Sequence, residues 1–196
     1  MTREGKLIAD SANQMLPLAT ACLGEEYFYQ SLPLCVIDAV WSIGVKYEAV
    51  QNVVDRYCKK SGLRKIRTDR DSLPPMSEQE AIAAFCAKVK RIGPEKMADE
   101  VFEDRQRTSS SNGILKAEAV YRFSCALRKH RVGCFQDVPE AASNVALERD
   151  ILSIRGQGSG KSLRYFWMLA GSDEFVKPDR WILCFLKSAL APIRFT

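Results

Sequence analysis

Residues 154–162 read Ile-Arg-Gly-Gln-Gly-Ser-Gly-Lys-Ser, and no other stretch of the chain is as informative about its architecture. Its three glycines, Gly156, Gly158 and Gly160, predict a tight turn whose amides can approach another group closely. The next segment, residues 163–170, contains neither glycine nor proline and predicts a helix that begins directly after the turn. Because the free N–H groups of a helix N-terminus bind anions, the stretch predicts a phosphate site.

The end of this stretch, Gly160-Lys161-Ser162, also resembles the end of a nucleotide-binding P-loop. That motif needs a glycine where this chain has Arg155. Only residues 151–154 lead into the turn as a possible strand, and no later apolar strand ends in an aspartate for magnesium. A P-loop nucleotide hydrolase is therefore a distant third interpretation.

Length and composition indicate a soluble globular protein. The chain has 196 residues, of which 46% are hydrophobic and 27% charged, enough for one domain with a substantial core. No run approaches the ~18 apolar residues of a membrane span, and residues 1–6 do not resemble a signal peptide. We expect a cytoplasmic protein without a membrane partner, associated with the nucleoid if the source is bacterial.

The cysteines and the single histidine do not form a recognisable metal motif. Seven scattered cysteines without a C-x-x-C pair argue against a disulfide framework and against a zinc site. His130 lies between two basic residues, which favours a solvated or phosphate-facing position. We therefore expect no structural or catalytic metal.

The formal net charge is +5, and the basic residues occur in groups. Two groups lie at residues 64–70 and 128–131, and a third surrounds the glycine turn. The members of the third group are Arg155, Lys161, Arg164, Lys177 and Arg180. A single group is typical of solvated surface, but basic residues beside a phosphate-binding turn favour a polyanionic partner.

Apolar residues recur at three-to-four spacing through most of the chain, which predicts helices. The expected helices cover residues 34–58 with a break near Gly44, and then 78–89, 94–102, 114–127, 139–149, 163–170 and 180–190. Ser77 is expected to cap the helix that begins at Glu78. Residues 61–77 and 104–113 have loop composition, and strand signals are nearly absent. The fold class is therefore predicted to be an all-α helical bundle.

Three blocks of the sequence occur in the order found in a known superfamily. They are residues 31–57, residues 112–119, and the turn 156–158 followed by Lys177-Pro178-Asp179-Arg180. Together they resemble the helix-hairpin-helix DNA glycosylase superfamily, which includes endonuclease III. The resemblance covers residues 31–185 and implies one glycosylase-like domain over 1–196. It implies a main helical core over 31–178, with the N- and C-terminal helices packed as a small second lobe.

The resemblance implies that the turn grips the backbone of double-stranded DNA through its amides, without reading sequence. The residues expected at this contact are Arg155, Gly156, Gln157, Gly158, Ser159, Gly160, Lys161 and Arg164. Members of the superfamily often hold a monovalent cation on the hairpin carbonyls, and that ion is the one cofactor the resemblance suggests.

Asp179 matches the catalytic aspartate of the superfamily. A carboxylate beside the sugar stabilises the charge that develops when the N-glycosidic bond of an extruded base breaks. Asp179 can also simply cap the next helix, and in the superfamily the two roles coexist. Lys161 precedes it by eighteen residues, as a Schiff-base lysine would, but the glycines align Gly160 with that position. We favour a phosphate-binding or structural Lys161, with Schiff-base chemistry as the alternative.

Two features depart from the endonuclease III branch. Gly44 stands where those enzymes have a glutamine that fills the gap left by the flipped base, and Lys46 or Tyr47 are candidates to replace it. Only Cys184 follows Asp179, so we expect no iron–sulfur cluster. The alkylated-base branch, with its aromatic pocket, is the closer comparison. Its pocket walls are sought among Trp41, Tyr165, Trp167 and Trp181, with Trp41 as first choice.

The leading interpretation is a monofunctional DNA glycosylase that removes a damaged or modified base by hydrolysis. The alternative is a non-catalytic module that binds DNA or a nucleotide-derived ligand. The presence of Asp179 favours the enzyme, whereas Gly44 and the ambiguous Lys161 favour the binding module.

Overall fold

The computed structural model describes residues 1–20, 23–172 and 174–191. Within these ranges it has helices and no strand, with two isolated β-bridges, so the predicted all-α class is confirmed. The α-helices are α1 (Arg3–Met15), α2 (Leu32–Trp41), α3 (Tyr47–Ser61), α4 (Ile82–Ile92), α5 (Pro94–Lys96), α6 (Lys116–Lys129), α7 (Val138–Ala141), α8 (Val145–Leu152), α9 (Lys161–Leu169) and α10 (Arg180–Ala189). A π-helix over Met97–Phe102 continues directly from α5.

The chain divides into two compact units. The terminal unit consists of residues 1–24 and 177–196, and the central unit consists of residues 25–176. In the terminal unit α1 packs against α10. Each of these helices begins at a side-chain cap: the Thr2 hydroxyl accepts from Gly5, and the Asp179 carboxylate accepts from the first turn of α10.

The central unit is built around α2, whose ten residues are all buried. Its sequence is apolar on every side apart from Asp38, as expected of a helix surrounded by other helices. Helices α3, α6 and α9 pack against it. The turn that precedes α9 is therefore attached to the most buried helix of the unit.

The helix expected over residues 34–58 is interrupted as predicted. Helix α2 ends at Trp41 and α3 begins at Tyr47, with Gly44 between them at a φ of 74°. A φ in this region is readily adopted by glycine and costly for other residues, so Gly44 fixes the position of the break.

Two predicted helices have different bounds in the structure. Ser77 lies in a 3-10 turn (Met76–Glu78) rather than at a helix cap, and α4 begins only at Ile82. The reason is the buried Gln79, whose side chain donates to the Pro74 carbonyl and accepts from the Phe135 amide. These bonds hold the segment out of helical conformation.

The helix expected over residues 139–149 is also divided in two. Helix α7 ends at Ala141, and Asn144 begins α8 by accepting bonds from the amides of Ala146 and Leu147. Asparagine is among the best N-cap residues, so this local preference starts a new helix inside an apparently continuous pattern.

Six cysteines lie in the part of the chain that the structure describes, and all are free thiols. Cys35, Cys58, Cys86 and Cys134 are buried, where a free cysteine packs as a small apolar residue. Cys22 lies outside the described residues. The described residues contain no group of histidine, cysteine or acidic side chains that could hold a metal ion.

Candidate functional site

The glycine stretch forms two consecutive turns between α8 and α9. The amide of Gln157 donates to the Ile154 carbonyl at 2.8 Å, and the amide of Gly160 donates to the Gln157 carbonyl at 2.9 Å. Gly160, at a φ of 69°, is the N-cap residue of α9. We call residues 154–160 the double turn. Because it follows helix α8 and not a strand, it lacks the local context of a P-loop.

The double turn contains backbone donors that no described residue satisfies. The amides of Gly158 and Ser159, both exposed, have no acceptor among the described residues. The first N–H groups of α9 lie next to them; Gly160 has no side chain to cap them, and the amide of Lys161 donates to the Ser159 hydroxyl at 3.5 Å. This arrangement of amides at a helix N-terminus favours binding of an anion.

The double turn is packed against the loop of residues 107–113. Gly156 has a φ of 87°, and a Cβ atom at this position would overlap the side chain of Thr108. The loop is itself closed, because the Thr108 amide donates to the Ile114 carbonyl at 2.9 Å. A glycine is therefore required at 156 both for its backbone conformation and for close packing.

Two arginines project from this contact. Arg155 donates to the Asn112 carbonyl at 3.3 Å, and Arg107 donates to the Gly113 carbonyl at 2.7 Å. Lys161 and Arg164 lie on the exposed side of the first turn of α9. None of these four cations forms an ion pair with a described residue, so no described carboxylate neutralises their charge. Arg107 was not among the residues expected at this surface.

Among the residues expected to contact the DNA backbone, Gln157 departs most from its expected position. Its side chain is only 2% exposed and accepts a hydrogen bond from the Ser162 hydroxyl, which is also buried. The side chain of Gln157 therefore stabilises the double turn from inside, and the exposed amides and the four cations form the outer surface.

Lys116 links this region to the end of α2. Its buried ammonium group donates to the carbonyls of Trp41 at 2.8 Å and Ile43 at 3.0 Å, and to the side chain of Gln106 at 3.1 Å. Burial lowers the pKa of Lys116 to about 8. The lysine binds carbonyl groups that a terminating helix leaves without partners, so it fixes α2, α6 and the segment that leads into the 107–113 loop together.

The residues expected to form a base pocket do not line a common open surface. Trp41 is 0% exposed and packs against Phe102 with ring centroids 4.7 Å apart, so it is a core residue and not a pocket wall. Lys46 is exposed at the N-cap position of α3. Tyr47 is 37% exposed, and its ring lies 5.6 Å from that of Tyr27.

A second polar cluster, which was not predicted from the sequence, surrounds the buried carboxylate of Asp38 in α2. Asp38 accepts hydrogen bonds from the hydroxyls of Tyr29 at 2.8 Å and Tyr165 at 3.4 Å, while Gln51 donates to Tyr29 at 3.2 Å. Burial, and then the Asp38 charge, raise the pKa of both tyrosines far above its usual range. The signal that could have revealed this cluster is the single acidic residue in the apolar run of α2.

Asp179 lies in the terminal unit at the start of α10. Its Oδ1 atom accepts from the amides of Trp181 at 2.9 Å and Ile182 at 3.0 Å. Its Oδ2 atom accepts no hydrogen bond from a described residue. The carboxylate therefore caps the helix through one oxygen.

An open groove of about 800 Å³ lies elsewhere in the central unit. Leu73, Phe135, Pro139 and Phe175 give it apolar walls, and the chain that follows α9 closes one side. Its volume is in the range of small-ligand sites, and it does not include the double turn.

The fold defines a helical protein with a glycine-rich double turn between two helices and a basic surface around it. A family model described as "Domain of unknown function (DUF8548)" matches residues 6–193, so the chain belongs to this family. No curated protein and no solved structure matches the chain. No helix in the described part of the chain is long and apolar enough to cross a membrane.

Proposed function

We propose that this protein grips the backbone of duplex DNA with the double turn and removes a damaged or modified base by hydrolysis of its N-glycosidic bond. The observation that carries the proposal is the double turn itself, with the exposed amides of Gly158 and Ser159 at the start of α9. In this proposal α8, the double turn and α9 act as a helix-hairpin-helix.

The chemistry of the double turn suits a phosphate diester. Two adjacent amides and a helix N-terminus supply fixed donors, which need no side chain and carry no sequence preference. Four basic residues add positive charge that no described acidic residue neutralises: Arg107, Arg155, Lys161 and Arg164. Such cations release counterions from DNA, so affinity should fall steeply with salt. A monovalent cation on the carbonyls of the turn would complete the proposed grip.

Asp179 is the proposed catalytic carboxylate. Its capping bonds fix the orientation of the group through Oδ1, while Oδ2 has no described donor. A carboxylate held in this way can stabilise the positive charge that develops on the sugar as the base departs, and can orient the attacking water. Lys161 is proposed to contact phosphate, so the enzyme would be monofunctional and form no covalent intermediate.

The alternative function is binding without cleavage. Two observations favour it: Trp41 is buried and unavailable to an extruded base, and the groove beside Phe135 and Phe175 is large enough for a small ligand. Under this alternative the protein would hold DNA, or a nucleotide-derived ligand, without releasing a base.

The test is single-turnover base release from duplexes that each carry one alkylated, deaminated, oxidised or hypermodified base. Release from at least one duplex, with rates independent of magnesium, supports the glycosylase and identifies its substrate class. If every duplex binds but none loses a base, the enzyme proposal fails and the binding module replaces it.

A further inference from the structure

We propose that Cys86 of α4 and Cys125 of α6 form a reversible oxidation site, at which a hydroperoxide converts the two thiols into a disulfide that joins the two helices. We call these two residues the thiol pair. The inference goes beyond the proposed function, because it concerns chemistry of the protein itself and requires no DNA.

The two thiols of the pair are already in contact. The Cys125 thiol donates a weak hydrogen bond to the Cys86 sulfur, and the two sulfur atoms are 3.9 Å apart. Among the six cysteines that the structure describes, only these two bond to each other. They are 39 positions apart in sequence, so it is the packing of α4 against α6 that brings them together.

The packing of α4 against α6 is compatible with a disulfide. A disulfide needs two sulfurs about 2 Å apart and Cα atoms about 4.4–6.8 Å apart. The axes of packed helices are about 8–10 Å apart, and each Cα atom lies about 2.3 Å from its own axis. Facing residues of two packed helices therefore have Cα atoms about 3.4–5.4 Å apart, which overlaps the range that a disulfide needs.

The two members of the thiol pair differ in their access to solvent. Cys125 is partly exposed, whereas Cys86 is only 1% exposed. Burial, and then the neighbouring Cys125, raise the pKa of Cys86 to about 12, although the charge of Arg128 opposes this shift. Because the thiolate is the form that attacks an oxidant, Cys86 does not react first. Cys125 therefore meets the oxidant, and Cys86 then reacts with the oxidised Cys125.

The proposed reaction has two steps. The Cys125 sulfur attacks one oxygen of the hydroperoxide, the O–O bond breaks, and Cys125 becomes a sulfenic acid. The proton of the Cys125 thiol ends on the leaving oxygen, which departs as an alcohol, or as water when the oxidant is hydrogen peroxide. The Cys86 sulfur then attacks the Cys125 sulfur, and the sulfenic hydroxyl leaves with the Cys86 proton as water. Two electrons pass from the two thiols to the peroxide.

The disulfide closes a loop that runs from α4 to α6. This loop contains α5, the π-helix and the 107–113 loop, against which the double turn packs. A cross-link between residues this far apart in sequence restricts mainly the unfolded chain, so it favours the folded state. Oxidation of the thiol pair should therefore make the central unit more resistant to unfolding.

The test treats the full chain with hydrogen peroxide at neutral pH, blocks the remaining thiols by alkylation, and digests the protein with trypsin without reductant. Tryptic peptides 71–88 and 123–128 contain Cys86 and Cys125 respectively and no other cysteine, so mass spectrometry identifies their linkage directly. The exposed Cys184 lies on a separate peptide and reports that the oxidant has acted. Only protein that runs as a monomer on a non-reducing gel is digested, which excludes links between molecules.

We expect most of the monomeric protein to yield the linked peptides, and dithiothreitol to separate them. Cys86→Ser and Cys125→Ser should each abolish the link, whereas Cys134→Ser, which removes a buried cysteine outside the thiol pair, should retain it. Peroxide should also raise the urea midpoint of the unsubstituted protein and leave that of Cys125→Ser unchanged. Oxidation of Cys184 in the unsubstituted protein without any linked peptides would overturn the inference.

Discussion

Gly156 lies against the side chain of Thr108 so closely that a Cβ atom at position 156 would overlap it. Through this contact the double turn packs against the 107–113 loop. Arg155 and Arg107 also donate hydrogen bonds to neighbouring carbonyls of that loop. The proposed DNA surface is therefore one assembly of two chain segments, and its geometry depends on a residue that itself contributes no charge.

Gly156→Ala should destabilise the protein by about 1–3 kcal/mol, because alanine is strained at a φ of 87° and must displace Thr108. The free energy of unfolding in urea measures this. Gly158→Ala is the matched control, since a Cβ there would meet only the Leu152 carbonyl at 3.7 Å, an ordinary contact. Equal stability of the two variants would contradict the packing described for Gly156.

Replacing Arg155 and Lys161 together with alanine should weaken DNA binding and flatten its salt dependence. Each phosphate contact makes the slope of log K against log salt more negative by about 0.9. The slope of the double variant should therefore be shallower by roughly 1.8. The measurement is equilibrium binding of a fixed duplex from low to moderate salt. Lys59→Ala combined with Lys90→Ala, which removes exposed lysines at the ends of α3 and α4, controls for the loss of two charges. An unchanged slope in the double variant would mean that the double turn does not face DNA.

The buried Lys116 should make stability depend on pH in the alkaline range. Its pKa is about 8 in the folded chain and about 10.5 in the unfolded chain. Between these two pH values the Lys116 side chain is therefore protonated in the unfolded chain and deprotonated in the folded chain. Raising the pH therefore favours the folded state, by up to about 3 kcal/mol across this window.

Lys116→Met provides the comparison for this effect. The difference in free energy of unfolding between the unsubstituted protein and the variant should shift in favour of the unsubstituted protein from pH 8 to pH 10. A difference that stays constant with pH would show that the ammonium group is not desolvated as its burial indicates.

The sequence predicted the fold correctly where the backbone conformation depends on neighbouring residues. The glycine at 44 set the break between α2 and α3, and the glycine stretch correctly predicted a turn that opens directly into a helix. Prediction failed where distant residues decide the conformation. Gln79 is held out of a helix by Pro74 and Phe135, the latter far away in sequence, and no periodicity in residues 78–89 reveals that contact.

Side-chain direction was the main limit on predicting the site. Gln157 was expected at the DNA contact and Trp41 in the wall of a base pocket, but Gln157 bonds to Ser162 inside the turn and Trp41 packs on Phe102. Neither outcome follows from spacing, because a turn residue or a residue at a helix end can point either way. Arg107 and Thr108 were missed because their proximity to the double turn arises only from tertiary packing.

Lys161 should not form a covalent adduct with DNA if it only contacts phosphate. Incubation of the protein with base-modified duplexes in the presence of sodium borohydride would trap a Schiff base as a stable amine. We expect no trapped complex, and we expect Lys161→Met to lower affinity for DNA while base release at saturating protein persists. A borohydride-dependent complex that disappears in Lys161→Met would instead make the enzyme bifunctional.

The most direct test of the account compares single-turnover base release by the unsubstituted protein, Asp179→Asn and Asp10→Asn. Asparagine caps helices as well as aspartate does, so Asp179→Asn removes the charge and should preserve α10. Asp10, an exposed carboxylate of α1, controls for a lost negative charge in the same unit. We expect release to fall at least about a hundredfold in Asp179→Asn alone, a loss typical of removing one electrostatic group, while DNA binding and stability persist. Release at an unchanged rate in Asp179→Asn would contradict the assignment of the catalytic carboxylate.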